Sequence, residues 1–290
     1  MKLRMTASLA LYMALVGSAS ATQRIDLSGS GWSFRTTLDE KSIPVSVPHT
    51  WMTTKEYEKF IGNATYERDF NGPAISPGRV VRLHFDAVYD VAHVWFNGRM
   101  VGVHEGGYTP FEFDVTNLMK PGANHILLEV NNTPTLSSIP AIASAHASKD
   151  YPLYGTAAGE GVVGWMPYGG IVRPVTLLIS DAVYLQKIKV DAKPDLAKHT
   201  AIVQVRAWIH NGGATVTTAA VTGTVAGLSV ALKPVRLAAH GDAEVTWRGT
   251  LPDAHLWSVR DPYLYDAKIA VMGDEMTAKV GVREIRVQGT

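Results

Sequence analysis

The 290-residue sequence contains no cysteine, which excludes disulfides, thiolate metal sites and thiol nucleophiles. Charged residues make up only 18% of it, and no charge run, repeat or low-complexity tract predicts disorder. No window shows helical periodicity over three turns, and no apolar run is long enough to cross a bilayer. These absences leave a globular protein built mainly from strands.

The N-terminus has the layout of a secretory signal peptide. Lys2 and Arg4 precede an apolar run from Ala7 to Val16, and Ala19-Ser20-Ala21 has the small-x-small pattern of a cleavage site. The alternative, an uncleaved anchor, is disfavoured because the run is too short to span a bilayer. We therefore expect residues 1–21 to be a signal peptide and the protein to be exported, periplasmic or secreted, without membrane attachment after cleavage.

Cleavage after Ala21 leaves 25 basic and 26 acidic residues, a net charge of −1. A surface of this charge has no electrostatic attraction for nucleic acid or anionic lipid. We expect no nucleic-acid partner, and any ligand should be uncharged or weakly charged.

Short apolar runs with period-2 alternation dominate the rest of the sequence, separated by Gly, Pro, Asn and Asp. In Val81–Phe85 apolar and polar residues alternate strictly. The predicted strands are Thr65–Phe70, Arg79–Phe85, Ala92–Phe96, Asn124–Val130, Val172–Ile179, Leu185–Val190, Ile202–His210, Ala243–Trp247 and Tyr265–Val271. Asn97-Gly98 predicts a type I′ hairpin turn. Many short strands at near-regular spacing predict an all-β protein of sandwiches.

The sequence predicts two domains with a boundary near Asp181-Ala182, giving residues 22–181 and 182–290. The segment Thr133–Gly170 differs from its surroundings, being long, rich in Ala, Ser, Gly, Pro and Tyr, and poor in strand pattern. Loops of this length in compact domains are usually functional or mobile.

Several strings resemble glycoside hydrolase family 2, which contains β-galactosidases, β-glucuronidases and β-mannosidases. They are Trp32-Ser33-Phe34, Val45–Trp51 with its Pro-His-Thr-Trp end, Tyr66–Phe70, Val94–Thr116, Gly169–Arg173, Leu256–Ser258, Pro262–Tyr265 and Gly281–Arg283. The resemblance covers nearly the whole sequence after residue 21. It implies a jelly-roll (galactose-binding-like) β-sandwich of the sugar-binding type, followed by an immunoglobulin-like β-sandwich.

The resemblance also places the catalytic residues outside this sequence. Retaining glycoside hydrolysis uses two carboxylates, which in this family lie in a TIM barrel of ~250 residues after the immunoglobulin-like domain. The family's acid/base follows an Asn, and no Asn-Glu dipeptide occurs here. We therefore assign no catalytic residue, no cofactor and no metal site.

The best candidate carbohydrate-binding residues lie in Thr133–Gly170, because the resemblance implies that this loop reaches toward the barrel and its sugar pocket. Aromatic faces stack on sugar rings, and carboxylates accept sugar hydroxyls. The candidates are Asp150, Tyr151, Tyr154, Glu160, Trp165 and Tyr168. Where well-known β-galactosidases carry an Asp that helps to hold sodium and sugar, this sequence has Gly164.

Two hypotheses follow. The first is the non-catalytic N-terminal region of an exported family 2 β-glycosidase, working with a catalytic barrel in cis or trans. The alternative is a stand-alone exported protein, without hydrolase activity, that binds carbohydrate or docks onto a glycosidase. Under both we expect a β-glycoside ligand and no activity from the isolated chain, although the parent would be a β-galactosidase-like hydrolase.

Overall fold

The computed structural model describes residues 21–135 and 167–285. In these two ranges nearly all of the regular secondary structure is β-strand. A single-turn 3₁₀ helix spans Trp51–Thr53. The strands are β1 (Gln23–Asp26), β2 (Gly29–Thr36), β3 (Ile43–Val47), β4 (Asn63–Gly72), β5 (Arg79–Phe85), β6 (Val91–Phe96), β7 (Arg99–Glu105), β8 (Phe111–Asp114), β9 (Gly122–Asn131), β10 (Val175–Asp181), β11 (Val183–Asp195), β12 (Thr200–Asn211), β13 (Thr217–Ala219), β14 (Val221–Val225), β15 (Leu228–Ala231), β16 (Val235–Leu237), β17 (Asp242–Leu251), β18 (Tyr265–Val271) and β19 (Asp274–Val280). None of the described helical segments is long and apolar enough to cross a membrane.

The first sandwich packs a four-stranded sheet, β1-β10-β5-β8, on a six-stranded sheet, β3-β2-β4-β9-β6-β7. All pairings between these strands are antiparallel. Period-2 alternation sends one face of each strand into the core. Large buried side chains of that core are Trp32, Phe34, Trp51, Tyr66, Phe85 and Phe96.

The predicted hairpin between β6 and β7 is confirmed. Asn97 and Gly98 have φ angles of 51° and 79°, both in the left-handed region that a type I′ turn requires. The Asn97 side chain also joins neighbouring elements: Nδ2 donates to Leu118 O at 2.8 Å, and Oδ1 accepts the His125 N–H at 2.8 Å. The turn is therefore set by local sequence and reinforced by tertiary contacts.

The second sandwich has a three-stranded sheet, β11-β12-β17, facing a four-stranded sheet, β15-β14-β18-β19, with a short β13-β16 pair beside them. Its separate core is mainly aliphatic and includes Leu185, Val203, Val205, Ile209 and Ile269. The predicted fold class is confirmed: the chain is all-β, a jelly-roll sandwich followed by an immunoglobulin-like one.

Most of the predicted strands extend by one or more residues beyond their expected bounds, and one strand begins later than expected, after a proline. The strand predicted for Val172–Ile179 begins at Val175, because Pro174 has no N–H to donate. In contrast, Arg79–Phe85 and Tyr265–Val271 have the predicted bounds.

Candidate functional site

The stems of the segment between the described ranges meet at one place, where Asn132 ties them together. Asn132 is fully buried. Its Nδ2 donates to Pro167 O at 2.7 Å and to Phe60 O at 3.3 Å, and its Oδ1 accepts the Gly62 N–H at 3.0 Å. The segment therefore leaves and re-enters the first sandwich at a single, hydrogen-bonded point.

Three tyrosines, Tyr89, Tyr108 and Tyr168, form what we call the tyrosine cluster beside these stems. Tyr89 is buried, and its ring lies 5.0 Å from that of Tyr168 and 5.8 Å from that of Tyr108. The Tyr168 hydroxyl donates to the Tyr108 hydroxyl oxygen at 3.0 Å. Tyr108 and Tyr168 are partly exposed, so the cluster presents an aromatic surface with two phenolic oxygens.

Glycine allows the elements around the cluster to approach closely. A Cβ on Gly107 would lie 2.0 Å from Tyr89 Cδ2, and one on Gly169 would lie 1.8 Å from Trp51 Cζ2. Neither distance is possible for a real side chain without movement of the ring. The Gly-Gly pairs of the sequence thus bring the backbone against two buried aromatic rings.

The electrostatics of the cluster favour neutral hydrogen-bonding groups. Burial, and then the hydrogen bond from Tyr168, raise the pKa of Tyr108 well above its ordinary value. The neighbouring Asp90 is also buried. Its pKa is raised by desolvation and by Glu105, against the opposing effect of the Gly107 and Gly106 N–H groups. At neutral pH the Tyr108 hydroxyl is un-ionised and can both donate and accept, as sugar hydroxyls require.

The Pro-His-Thr-Trp string supports the re-entering stem. The His49 N–H donates to Ile171 O at 2.8 Å, and the Trp51 N–H donates to Gly169 O at 3.3 Å. His49 Nδ1 lies 2.7 Å from the Tyr66 hydroxyl, and burial lowers the pKa of His49. These contacts give His49 a structural role.

Arg173 contacts the loop that carries Tyr108. Its Nη1 donates to Tyr108 O at 3.5 Å, from an exposed position. The guanidinium thus links the stem to the loop that carries Tyr108.

Of the six candidate sugar-binding residues, Tyr168 is the one that lies within the described ranges. Its ring packs on Tyr89, and its hydroxyl forms a hydrogen bond with Tyr108. The other candidates, Asp150, Tyr151, Tyr154, Glu160 and Trp165, lie outside the described residues, as does Gly164. Within the described ranges, no group of three or more His, Asp or Glu side chains could hold a metal ion.

Sequence reasoning did not propose Tyr89 and Tyr108 as site residues. Tyr89 follows the end of β5 by four residues, and Tyr108 directly follows Gly106-Gly107. A tyrosine next to a glycine pair was the available signal for Tyr108. Nothing in the sequence signals Tyr89, whose role depends on a contact with Tyr168, 79 positions away.

Comparison with known proteins gives consistent matches across both sandwiches. Residues 22–178 match the family model described as glycosyl hydrolases family 2, sugar binding domain. Residues 183–283 match a second model, glycosyl hydrolases family 2.

Relatives include a β-galactosidase of Thermoanaerobacter pseudethanolicus, 26% identical over 82% of this chain and 30% of its own length. A β-glucuronidase of Paenibacillus borealis is 26% identical over 91% of this chain and 46% of its own length. The chain thus spans less than half of each relative.

Among solved structures, a β-galacturonidase from Eisenbergiella tayi bound to galacturonate superposes with a TM-score of 0.73. It is 23% identical, and the match covers 95% of this chain and 46% of that one. At this identity the likeness concerns the fold. The two family models, matched in order along one chain, establish that this protein belongs to glycoside hydrolase family 2, with the sugar-binding sandwich and the immunoglobulin-like sandwich of that family.

Proposed function

We propose that this chain is the non-catalytic N-terminal region of an exported family 2 β-glycosidase. The observation that carries the proposal is the match to the sugar-binding model and then to the second family model, over residues 22–178 and 183–283. The relatives that share this region are β-galactosidases and β-glucuronidases more than twice as long as the match.

In this proposal the hydrolytic carboxylates belong to a catalytic barrel, supplied in cis or in trans. Retaining hydrolysis needs an acid/base and a nucleophile about 5–5.5 Å apart across the glycosidic bond. The two sandwiches would supply the barrel with a supporting surface and one wall of its sugar pocket. Residues Tyr108 and Tyr168, at the stems that Asn132 joins, are the described part of that wall.

The ligand we propose is a β-glycoside. Support comes from the sugar-binding family match and from the galacturonate bound in the E. tayi relative. Partly exposed tyrosine rings can stack on the apolar face of a sugar, and their neutral hydroxyls can bond to its hydroxyl groups.

The first test is a hydrolysis assay of the purified chain with aryl β-galactosides and aryl β-glucuronides. We expect no turnover above blank, because the two carboxylates would lie in a separate barrel. Turnover that follows the protein through purification would refute the non-catalytic role. Capture of a glycosidase barrel by the tagged chain would support assembly in trans.

The partly exposed pair of Tyr108 and Tyr168 favours the alternative, a stand-alone carbohydrate-binding protein. Calorimetric titration of the same chain distinguishes this alternative from the first proposal. Binding of a β-glycoside at millimolar concentration, weakened by Tyr168→Ala but unaffected by Tyr263→Ala, would favour it. Tyr263 is an exposed tyrosine on the second sandwich and controls for loss of a surface ring.

Export is part of the proposal and has its own measurement. The basic, apolar and small-residue segments of the leader predict cleavage after Ala21. Intact-mass analysis of protein recovered from the periplasm or medium should show an N-terminus at Thr22. Full-length protein retained in the cell would contradict both cleavage and export.

A further inference from the structure

The outer face of the four-stranded sheet of the first sandwich is buried, although only its inner face lines the core. Val81, Leu83 and Phe85 point into the core of the first sandwich. The alternate residues Val80 and Arg82 point outward and are nevertheless 4% and 2% exposed. On β10 the outward Leu178 and Ser180 are buried as well. Something other than the jelly roll therefore covers this face.

The second sandwich provides the cover. A Cβ built on Gly212 would lie 3.0 Å from Val80 Cγ1, which places the β12–β13 connection directly on β5. The Tyr184 ring, at the start of β11, lies over Arg82 with 3.7 Å between the guanidinium carbon and the ring centroid. A second polar contact joins the Thr22 hydroxyl to the buried carboxylate of Asp274 at 2.5 Å.

Arg82 is a buried charge whose partners come from both sandwiches. Its Nη1 forms an ion pair with Glu112 Oε1 at 2.8 Å, within the first sandwich. Its Nη2 lies 3.5 Å from Ser180 Oγ, and Nε has no hydrogen-bond partner among the described residues. A buried cation destabilises the fold unless it is paired and hydrogen-bonded. Tyr184 supplies the stacking, since a cation within ~6 Å of an aromatic centroid is attracted to its face.

The strands that carry this contact also lead to the tyrosine cluster. β5 runs from Arg79 through Arg82 to Phe85, and Tyr89 follows four residues later. β10 begins just after the stem that carries Tyr168, and Tyr89 and Gly170 form a bridge between the two segments. Seven residues separate Arg82 from Tyr89, so at ~3.3 Å per residue the two lie within roughly 23 Å of each other.

We propose that Arg82, Glu112 and Tyr184 form an interdomain clamp that makes the two sandwiches one rigid body and so sets the direction in which the tyrosine cluster faces. In this role Arg82 is a positioning residue: it contacts neither substrate nor the cluster. The test of the clamp does not depend on sugar binding.

The test compares the full chain with Arg82→Met and Tyr184→Ala by scanning calorimetry, small-angle X-ray scattering and limited proteolysis between Asp181 and Val183. Wild type should unfold in one transition with a slowly cleaved linker. The two variants should show separated transitions, a larger maximum dimension, and cleavage faster by about tenfold or more, since proteolysis reports the open population.

Controls separate the clamp from general destabilisation. Tyr184→Phe keeps the ring over Arg82 and should behave as wild type. Arg248→Met removes an exposed arginine that bonds only to Gln204 in the described structure, and should also leave all three readouts unchanged. If Arg82→Met does not fold, because Glu112 loses its guanidinium partner and keeps only His84, the double variant Arg82→Met/Glu112→Gln removes both charges. The proposal would be overturned if both Tyr184→Ala and the double variant unfold in one transition and scatter X-rays as the wild type does.

Discussion

At the residue scale, single buried polar side chains join separate segments of the chain. Asn132 uses its amide to hold three backbone groups, two from the Phe60–Gly62 segment and one from Pro167. Leaving such groups unpaired in a buried site costs roughly 1–3 kcal/mol each. Asn132 therefore helps to fix the backbone at the stems beside the tyrosine cluster.

His84 gives a pH-dependent prediction at this scale. Burial by itself lowers its pKa, but the hydrogen bonds and charges of Glu112 and Asp86 outweigh burial and raise it above the ordinary value. The pKa of Glu112 is correspondingly lowered by His84 and Arg82, against the opposing effect of its own burial. Arg82, Asp86 and Tyr184 are the charged or titratable groups that contact this pair or its arginine.

Because the folded pKa of His84 lies above the unfolded one, its stabilising contribution is complete below pH ~6.5 and is lost as the pH rises through the folded value. We expect His84→Gln to lower the free energy of unfolding at pH 6 and to have a smaller effect at pH 8.5. Urea unfolding at both values measures this, with His240→Gln as an exposed-histidine control. An equal loss of unfolding free energy at pH 6 and at pH 8.5 would contradict a stabilising contribution from protonated His84.

At the element scale, the candidate site depends on loops that are held against the ends of strands. The β7–β8 connection carries Gly107 and Tyr108, and it reaches the β5–β6 connection through Tyr89. The approach is possible only because position 107 has no side chain. The geometry of the cluster is therefore a property of two connections in contact.

Gly107→Ala tests this contact. A Cβ at 2.0 Å from the Tyr89 ring must displace it, and overpacking of this kind typically costs about 1–3 kcal/mol. We expect a lower melting temperature for the first sandwich. In a double-mutant cycle with Tyr89→Leu, which removes the ring, the alanine should cost distinctly less. Additive effects would show that the ring is not the obstacle.

At the scale of the whole molecule, two sandwiches with separate cores are joined by polar contacts across a short connection. The first sandwich places the tyrosine cluster and loop stems at one end, and the second covers the outer face of the sheet from which they extend. In the function that we propose, the clamped pair would offer the catalytic barrel one rigid surface.

Much of the fold was predictable because its causes are local. Alternation in Val81–Phe85 predicted a strand with one buried face, and Asn97-Gly98 predicted the hairpin, since backbone φ preferences and period-2 patterns act over a few residues. The candidate site was less predictable. Tyr168 was selected by residue type, whereas Tyr89 was missed because its burial depends on partners distant in sequence.

By itself, the sequence determined the fold class, about half of the described strands, the family resemblance and the absence of thiol chemistry. Only the tertiary structure decided that Tyr89, Tyr108 and Tyr168 meet, that Asn132 joins two stems, and that Arg82 lies beneath Tyr184, 102 positions later. The physical reason is that secondary structure follows from short-range backbone and patterning preferences. The pairing of buried polar and aromatic side chains follows from how sheets and connections pack, which no local pattern encodes.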